Sequence, residues 1–240
     1  MQRESPAVPE RVEVRVEMLG IIGGTSLLFS RLPELEKKVI PTPYGNSEVL
    51  CGDIAVLLRH QHNRPPHRIN FRSHLSALAL LGVDIVVAIG SAGSLKTEIP
   101  PGSLVIPTDY MSDAVIPSIH DHAIRHVHPG LSLDLAKKIS EIVPEARLGG
   151  VYVQTRGPRI ETVAEVAALA RCADLVGMTV ASEATLAIEL GMKFAALCPV
   201  DNYANGLGEE GLSYELIVEN ANKYKDRMDR ILRDLVAELS

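Results

Sequence analysis

The chain has 240 residues, 46% hydrophobic and 22% charged, with a formal net charge of −6. That length and balance fit one globular domain with a full core, and the acidic charge argues against broad nucleic-acid binding, which calls for a basic surface. The three cysteines, Cys51, Cys172 and Cys198, are odd in number with no Cys-x-x-Cys; they suit a reducing, cytoplasmic setting better than a disulfide framework, and no apolar run approaches the roughly 18–20 residues that span a membrane.

Residues 1–17 are charged and lack the apolar stretch of a secretory signal. They are expected to extend outside a domain running from 18 to 240. Strand-like apolar runs then recur at Leu19–Ile22, Ile54–Leu58, Ile85–Ile89, Leu104–Ile106, Val151–Gln154, Leu175–Met178 and Lys193–Val200. Several are apolar at successive positions, which predicts strands covered on both faces. Helical patterns lie between them, at Asn70–Leu81, Leu131–Ile142, Glu161–Arg171 and Glu183–Leu190, and a long amphipathic segment closes the chain over Ser213–Leu239. This alternation predicts a single α/β domain with a central mixed β-sheet flanked by helices. The last helix is expected to close over the core rather than serve as a partner surface.

Ligands in such sheets gather at the carboxyl ends of the strands, and three polar or glycine-rich junctions fall there. Ile22-Gly23-Gly24-Thr25-Ser26 offers glycines that admit an anion to the backbone, with hydroxyls beside them. It matches neither the dinucleotide nor the Walker pattern, and a plain tight turn stays open for it. Leu58-Arg59-His60 sets a guanidinium and an imidazole after a buried strand, where a surface pair is the alternative. Gly90-Ser91-Ala92-Gly93-Ser94 again presents small residues and hydroxyls, and a loop kept small for packing would look the same. Together the three junctions favour one converging anion site, to which Thr179 could add a hydroxyl. A glycine–proline turn, Gly157-Pro158-Arg159, leads to Ile160 and the carboxylate of Glu161, and the amide of Asn202 follows the apolar run ending at Val200. A carboxylate accepts while an amide donates and accepts, which suits a 6-oxopurine edge with its N1–H, O6 and N7.

Gly23-Gly24-Thr25, Arg59-His60, Gly157-Pro158-Arg159, Gly177-Met178-Thr179 and Glu219-Asn220-Ala221-Asn222-Lys223 stand in an order and spacing that resembles the trimeric purine nucleoside phosphorylase and methylthioadenosine phosphorylase family, especially its 6-oxopurine and methylthioinosine branch. The resemblance implies a homotrimer, with a hexamer as the other assembly, and phosphorolysis of a purine nucleoside with no metal or other cofactor. Inorganic phosphate is the co-substrate, and nucleic acid and membrane are not partners. Carried over by position, Thr25, Arg59, His60, Ser91 and Thr179 would hold phosphate. Met178 would lie along the ribose, Ile160 would pack on the base, and Glu161 and Asn202 would read its edge. Asn202, Glu161 and His60 would take the catalytic roles, with Ala204 and Tyr214 beside the substrate.

Adenine-specific members of that family place aspartates at the positions of Asn202 and Ala204 and a small hydroxyl residue at that of Glu161, so hypoxanthine or guanine is the expected base. Relatives acting on 5′-hydroxyl nucleosides often use a late histidine, whereas this chain has none after His128. Leu207, Leu212, Tyr214 and Leu216 could instead line an apolar 5′-methylthio pocket. Gly90 stands where relatives carry Thr or Asn, Ser182 where they carry Pro, and Asp201 where they carry Thr. Asp201 could supply a proton-donating carboxyl or cap the strand, and capping is the expectation.

A methylthioadenosine phosphorylase and a noncatalytic nucleoside-binding protein are the alternatives, and a nucleosidase would need water in place of the anion. His120-x-His122 and His126-x-His128 are expected to be solvent-exposed rather than zinc ligands, with a loop lending a histidine to a neighbouring subunit as the alternative. His62, His67 and His74 are expected to have packing or surface roles.

Overall fold

The computed structural model describes residues 17–27, 30–31, 34–208 and 214–240, without the side chains of Ser26, Ala221 and residues 214–217. The expected N-terminal extension therefore lies outside the described residues as far as residue 16. The strands are β1 (Met18–Gly23), β2 (Glu36–Thr42), β3 (Gly45–Cys51), β4 (Ala55–Leu58), β5 (Val83–Ile89), β6 (Ala92–Ser94), β7 (Leu104–Ile106), β8 (Asp109–Ser112), β9 (Arg147–Leu148), β10 (Val151–Gln154), β11 (Leu175–Gly177) and β12 (Lys193–Tyr203). They form one mixed sheet in the order β2-β3-β4-β1-β5-β12-β6-β11-β10-β8, with β7 on β12 and β9 on β7.

Apolar continuity explains the centre of this sheet. Leu19, Ile21, Ile22, Val86, Val87, Ala88 and Leu197 are all at most 1% exposed, as strands covered on both faces require. The helices α1 (Phe71–Leu80) and α4 (Val180–Glu189) carry part of the core on one face, while α2 (Leu133–Ile142) and α6 (Lys225–Leu239) belong to the cluster on the other. The short α3 (Val163–Leu169) contributes to a third cluster with Leu95, Val153 and Ala204. Its start is fixed by a capping box in which Thr162 and Glu165 bond each other's backbone N–H.

The hairpin β2–β3 is absent from the apolar pattern because β2 is mostly solvent-exposed. Its turn is closed by Thr42, whose hydroxyl donates to the Gly45 carbonyl at 2.6 Å, and Gly45 takes φ +115°, a conformation that favours glycine. The expected single C-terminal helix is two, α5 (Tyr214–Lys223) and α6, parted at Tyr224. Met228, Ile231, Leu232, Leu235 and Leu239 form the buried stripe of α6, so this helix does close over the core. Among the described residues no helix is long and apolar enough to cross a membrane.

Candidate active site

Register brings the three junctions to one edge. Gly23 is the Cα partner of Leu58 on β4 and of Ile89 on β5, both parallel to β1. The residues that follow, Gly24-Thr25, Arg59-His60 and Gly90-Ser91, therefore leave the sheet side by side. The Arg59 backbone N–H donates to the Gly23 carbonyl at 2.8 Å. A β-carbon on Gly24 would stand 2.5 Å from Arg59 Nη1 and 3.4 Å from His60 Nε2, so only glycine lets the chain lie this close to both groups. Thr25 begins a 3-10 turn at this point.

Arg59 is 3% exposed and almost fully committed. Its Nε and Nη2 donate to the two oxygens of Glu183 at 2.6 and 3.1 Å, Nη1 to the Ile89 carbonyl at 2.9 Å and Nη2 to the Ile22 carbonyl at 3.4 Å. A guanidinium has five N–H groups, and these bonds leave a hydrogen on Nη1, the atom against Gly24. Burial pushes the Glu183 carboxyl up, while Arg59 pulls it back. Glu183 thus anchors Arg59 to α4 and fixes where its remaining donor points. The signal for it in the sequence was a carboxylate inside an apolar helix segment, Val180-Ala181-Ser182-Glu183-Ala184.

His60, expected to help hold the anion, presents an acceptor rather than a donor. Its Nδ1 lies 2.9 Å from the Arg64 carbonyl, which can only accept, so Nδ1 carries the proton. Burial lowers the imidazole pKa below 6.5, the Arg64 bond opposes this, and Arg59 lowers it further. In the neutral ring Nε2, the nitrogen near Gly24, is therefore an acceptor. It can take a hydrogen bond from a protonated phosphate oxygen.

Thr179 precedes α4 and is 7% exposed, and its side chain makes no capping bond to the helix. Its backbone N–H reaches the buried Tyr152 hydroxyl at 3.4 Å, and the end of a ten-residue helix adds a positive potential that suits an anion. Two departures from the family pattern have local reasons. At Gly90 a β-carbon would meet Val180 Cγ2 at 2.6 Å, so Thr or Asn would not fit here. Ser182, in the family's proline position, donates its N–H to Gln154 Oε1 at 2.9 Å and accepts from Gln154 Nε2 at 2.7 Å.

Glu161, in the loop before α3, and Asn202, near the end of β12, are the residues expected to read the base. Glu161 is 9% exposed and its Oε1 accepts from the Thr155 hydroxyl at 2.5 Å. Asn205, just past β12, donates to the Glu161 carbonyl at 3.0 Å, tying the end of β12, which carries Asn202, to Glu161. Asn202 is 8% exposed and gives one Nδ2 hydrogen to the Tyr203 carbonyl at 2.8 Å. Ile160 and Met178 are half-buried, and the Met178 sulfur packs on Gly157, which has φ +58° and precedes a cis proline. A cavity of about 500 Å³ is lined by Thr155, Gly157 and Glu161 with Asp113, Arg156 and α3 residues; it touches Glu161 but none of the residues expected to hold an anion.

Three expectations need correction. Ala204 is 2% exposed and packs with Val153, Val166 and Val176, so its methyl group belongs to the core rather than to a substrate wall. Leu207 packs against the same cluster instead of lining a 5′ pocket. Asp201 is not the expected strand cap, since its Oδ2 is enclosed with no hydrogen-bond partner among the described residues. The Tyr214, Leu216 and Leu212 side chains lie outside the described residues. His122, His126 and His128 are exposed, whereas His120 is half-buried with its Nε2 enclosed and without a hydrogen-bond partner among the described residues, and among those residues no three His, Cys, Asp or Glu side chains are grouped to hold a metal. His74 is buried, which pushes its pKa down to about 4.

The phosphorylase superfamily profile matches residues 18–237. The chain belongs to that superfamily. It is 40% identical over 237 residues to the Archaeoglobus fulgidus protein named "Probable 6-oxopurine nucleoside phosphorylase", covering 92% of this chain and 97% of that one. It is 33% identical to the Methanocaldococcus jannaschii "Probable S-methyl-5'-thioinosine phosphorylase", covering 91% of this chain and 92% of that one. The solved methylthioadenosine phosphorylase from Schistosoma mansoni in complex with tubercidin superposes with a TM-score of 0.80, covering 92% and 91% of the two chains at 22% identity, a likeness of fold. The superfamily match spans β1 to most of α6, and so includes Thr25, Arg59, Thr179, Glu161 and Asn202.

Proposed function

We propose that the protein is a purine nucleoside phosphorylase that cleaves 6-oxopurine nucleosides (5′-methylthioinosine, inosine and guanosine) with inorganic phosphate. The products are the free base and ribose 1-phosphate or its 5-methylthio form. The observation that carries this reading is the buried Glu161, whose carboxylate is held by Thr155 and whose backbone carbonyl accepts from Asn205, just past the strand that carries Asn202. The names of the relatives from Archaeoglobus and Methanocaldococcus agree with it.

Breaking the C1′–N9 bond builds positive charge on the sugar and negative charge on the departing base. Phosphate is the nucleophile, so no side chain forms a covalent intermediate and no cofactor is required. Arg59, the Thr25, Ser91 and Thr179 hydroxyls and the His60 acceptor would hold the anion beneath the sugar, where its charge stabilises the cation before attack. Met178 lies along the ribose and Ile160 against the base. The second Nδ2 hydrogen of Asn202 donates to N7 or O6 as charge gathers there, and Glu161 accepts from N1–H. One donor aimed at developing charge is worth roughly 3–4 kcal/mol. With adenine, N1 has no hydrogen, and the buried Glu161 would lose a partner at about 1–3 kcal/mol.

The 5′ group is settled by comparing kcat/KM for inosine and 5′-methylthioinosine. A higher value for the methylthio substrate supports that branch, a higher value for inosine the 5′-hydroxyl branch, and faster cleavage of methylthioadenosine than of either would overturn the base assignment. We propose the same homotrimer that the family resemblance implies; light scattering should give three times the 26.0 kDa chain mass, and a monomer mass would contradict it.

A further inference from the structure

Thr155 has no part in the reaction just described, yet it holds the carboxylate on which base choice depends. It follows β10 directly, and its backbone N–H donates to the Gly177 carbonyl at 2.8 Å, which carries the contact between β10 and β11 one residue further. Beside it, Gln154 is tied to Ser182 of α4 by two bonds, at 2.7 and 2.9 Å. A β-branched side chain on so fixed a backbone has few rotamers open to it. Thr155 is 8% exposed, and its hydroxyl donates to Glu161 Oε1 at 2.5 Å, the short end of the range for a hydroxyl on a carboxylate. Glu161 Oε2 takes no hydrogen bond from the described residues, and Thr155 and Glu161 both line the cavity of about 500 Å³.

We propose that Thr155 is a positioning residue that makes the site prefer hypoxanthine to guanine, by taking one oxygen of Glu161 and leaving the other for a single donor. This rests on the base-site reading above. Both bases present N1–H, and guanine adds at C2 an amino group with an N–H parallel to it. A guanine edge is therefore a two-pronged donor that matches a carboxylate oxygen for oxygen, as a guanidinium does. Hypoxanthine offers one prong. With hypoxanthine bound, N1–H meets Oε2 and the Thr155 hydroxyl meets Oε1, so both oxygens of the buried carboxylate are satisfied. With guanine bound, the second prong falls on Oε1, where it must share the oxygen with the Thr155 hydroxyl or displace it. Either way the new bond is offset by the one it weakens, and drying the amino group is left uncompensated.

The other charged groups of the cavity do not take over either oxygen's part. Arg159 gives both Nη atoms to Glu165 at 2.8 Å, so it does not compete for Oε2. Glu165 accepts from Arg159 and from the Thr162 N–H, and Asp113 is exposed to solvent, so neither carboxylate is a ready substitute for Oε1. The Asn202 amide is assigned to N7 or O6, away from the amino group at C2.

The test is the ratio of kcat/KM for inosine to that for guanosine, measured with saturating phosphate in wild type, Thr155→Val and Thr155→Ser. The wild-type ratio should favour inosine by about two- to ten-fold, the worth of one hydrogen bond. Thr155→Val replaces the hydroxyl by a methyl group. It leaves Oε1 without a donor when hypoxanthine is bound and free for the amino group when guanine is bound, so the ratio should move towards guanosine by a similar factor. Thr155→Ser keeps the hydroxyl and should keep the preference for inosine. A merely structural role would lower the rates with both nucleosides together and leave the ratio alone. A wild-type protein that favours guanosine, or treats the two alike, would overturn the inference without any variant. An unchanged ratio in Thr155→Val, or a lost preference in Thr155→Ser, would overturn it as well. Release of neither base in the presence of phosphate would overturn the base-site reading along with it, whereas phosphate-dependent release with the wrong ratio would overturn the role of Thr155 alone.

Discussion

Arg59→Ala is expected to destabilise the protein by about 3–5 kcal/mol and to raise the KM for phosphate far more than the KM for nucleoside. Both effects follow from the same bonds. The guanidinium satisfies both oxygens of Glu183, which is 1% exposed, and removing it leaves a buried carboxylate without its counter-ion. The same guanidinium keeps its remaining Nη1 hydrogen against Gly24, the donor assigned to phosphate. The two roles separate in the double variant Arg59→Met, Glu183→Gln, which has no buried charge. Denaturant unfolding should show most of the stability restored, while steady-state kinetics should show the phosphate KM still raised. A double variant with a normal phosphate KM would remove Arg59 from the anion site, and a single variant that affected the nucleoside KM more than the phosphate KM would do the same.

Asn202→Asp should move the inosine-to-adenosine ratio of kcat/KM towards adenosine by roughly ten- to hundred-fold, the equivalent of about 1–3 kcal/mol. The new carboxylate can accept from the N6 amino group of adenine and repels O6 of hypoxanthine. It also gives up the bond from Nδ2 to the Tyr203 carbonyl, so part of the loss with inosine will be a lower rate. Glu161 remains as a brake on adenosine, because Thr155 and Asn205 hold it in place whatever base enters. An unchanged ratio would take Asn202 out of base recognition.

What could be read in advance depended on whether a residue's role was carried by its neighbours in sequence. The buried strands β1, β4, β5 and β12 were plain because each is a continuous apolar run, and α3 fell within the helical pattern over Glu161–Arg171, although the Thr162–Glu165 capping box starts it only at Val163. The edge hairpin β2–β3 was not, since exposed strands need no apolar alternation. Nor was the break at Tyr224, where the apolar stripe continues past the interruption. Arg59 and His60 were marked by following a buried strand, but their electrostatics were not. Glu183 is 124 residues from Arg59, and the Arg64 carbonyl that makes His60 an acceptor becomes its partner only once the chain turns. Asp201 looked like an ordinary strand-end cap because the register of β12 on β6 shifts between Val200 and Asn202, a mismatch between two strands that neither strand alone records.

The most direct test of the central claim is release of hypoxanthine from inosine and 5′-methylthioinosine, measured with and without inorganic phosphate and set against adenosine and methylthioadenosine. The account predicts release that requires phosphate, with ribose 1-phosphate or its methylthio form appearing in equal amount, and with 6-oxopurine substrates ahead of their 6-amino counterparts. Release at the same rate without phosphate would make the protein a nucleosidase. No release from any substrate would leave only nucleoside binding, and either result would contradict the account.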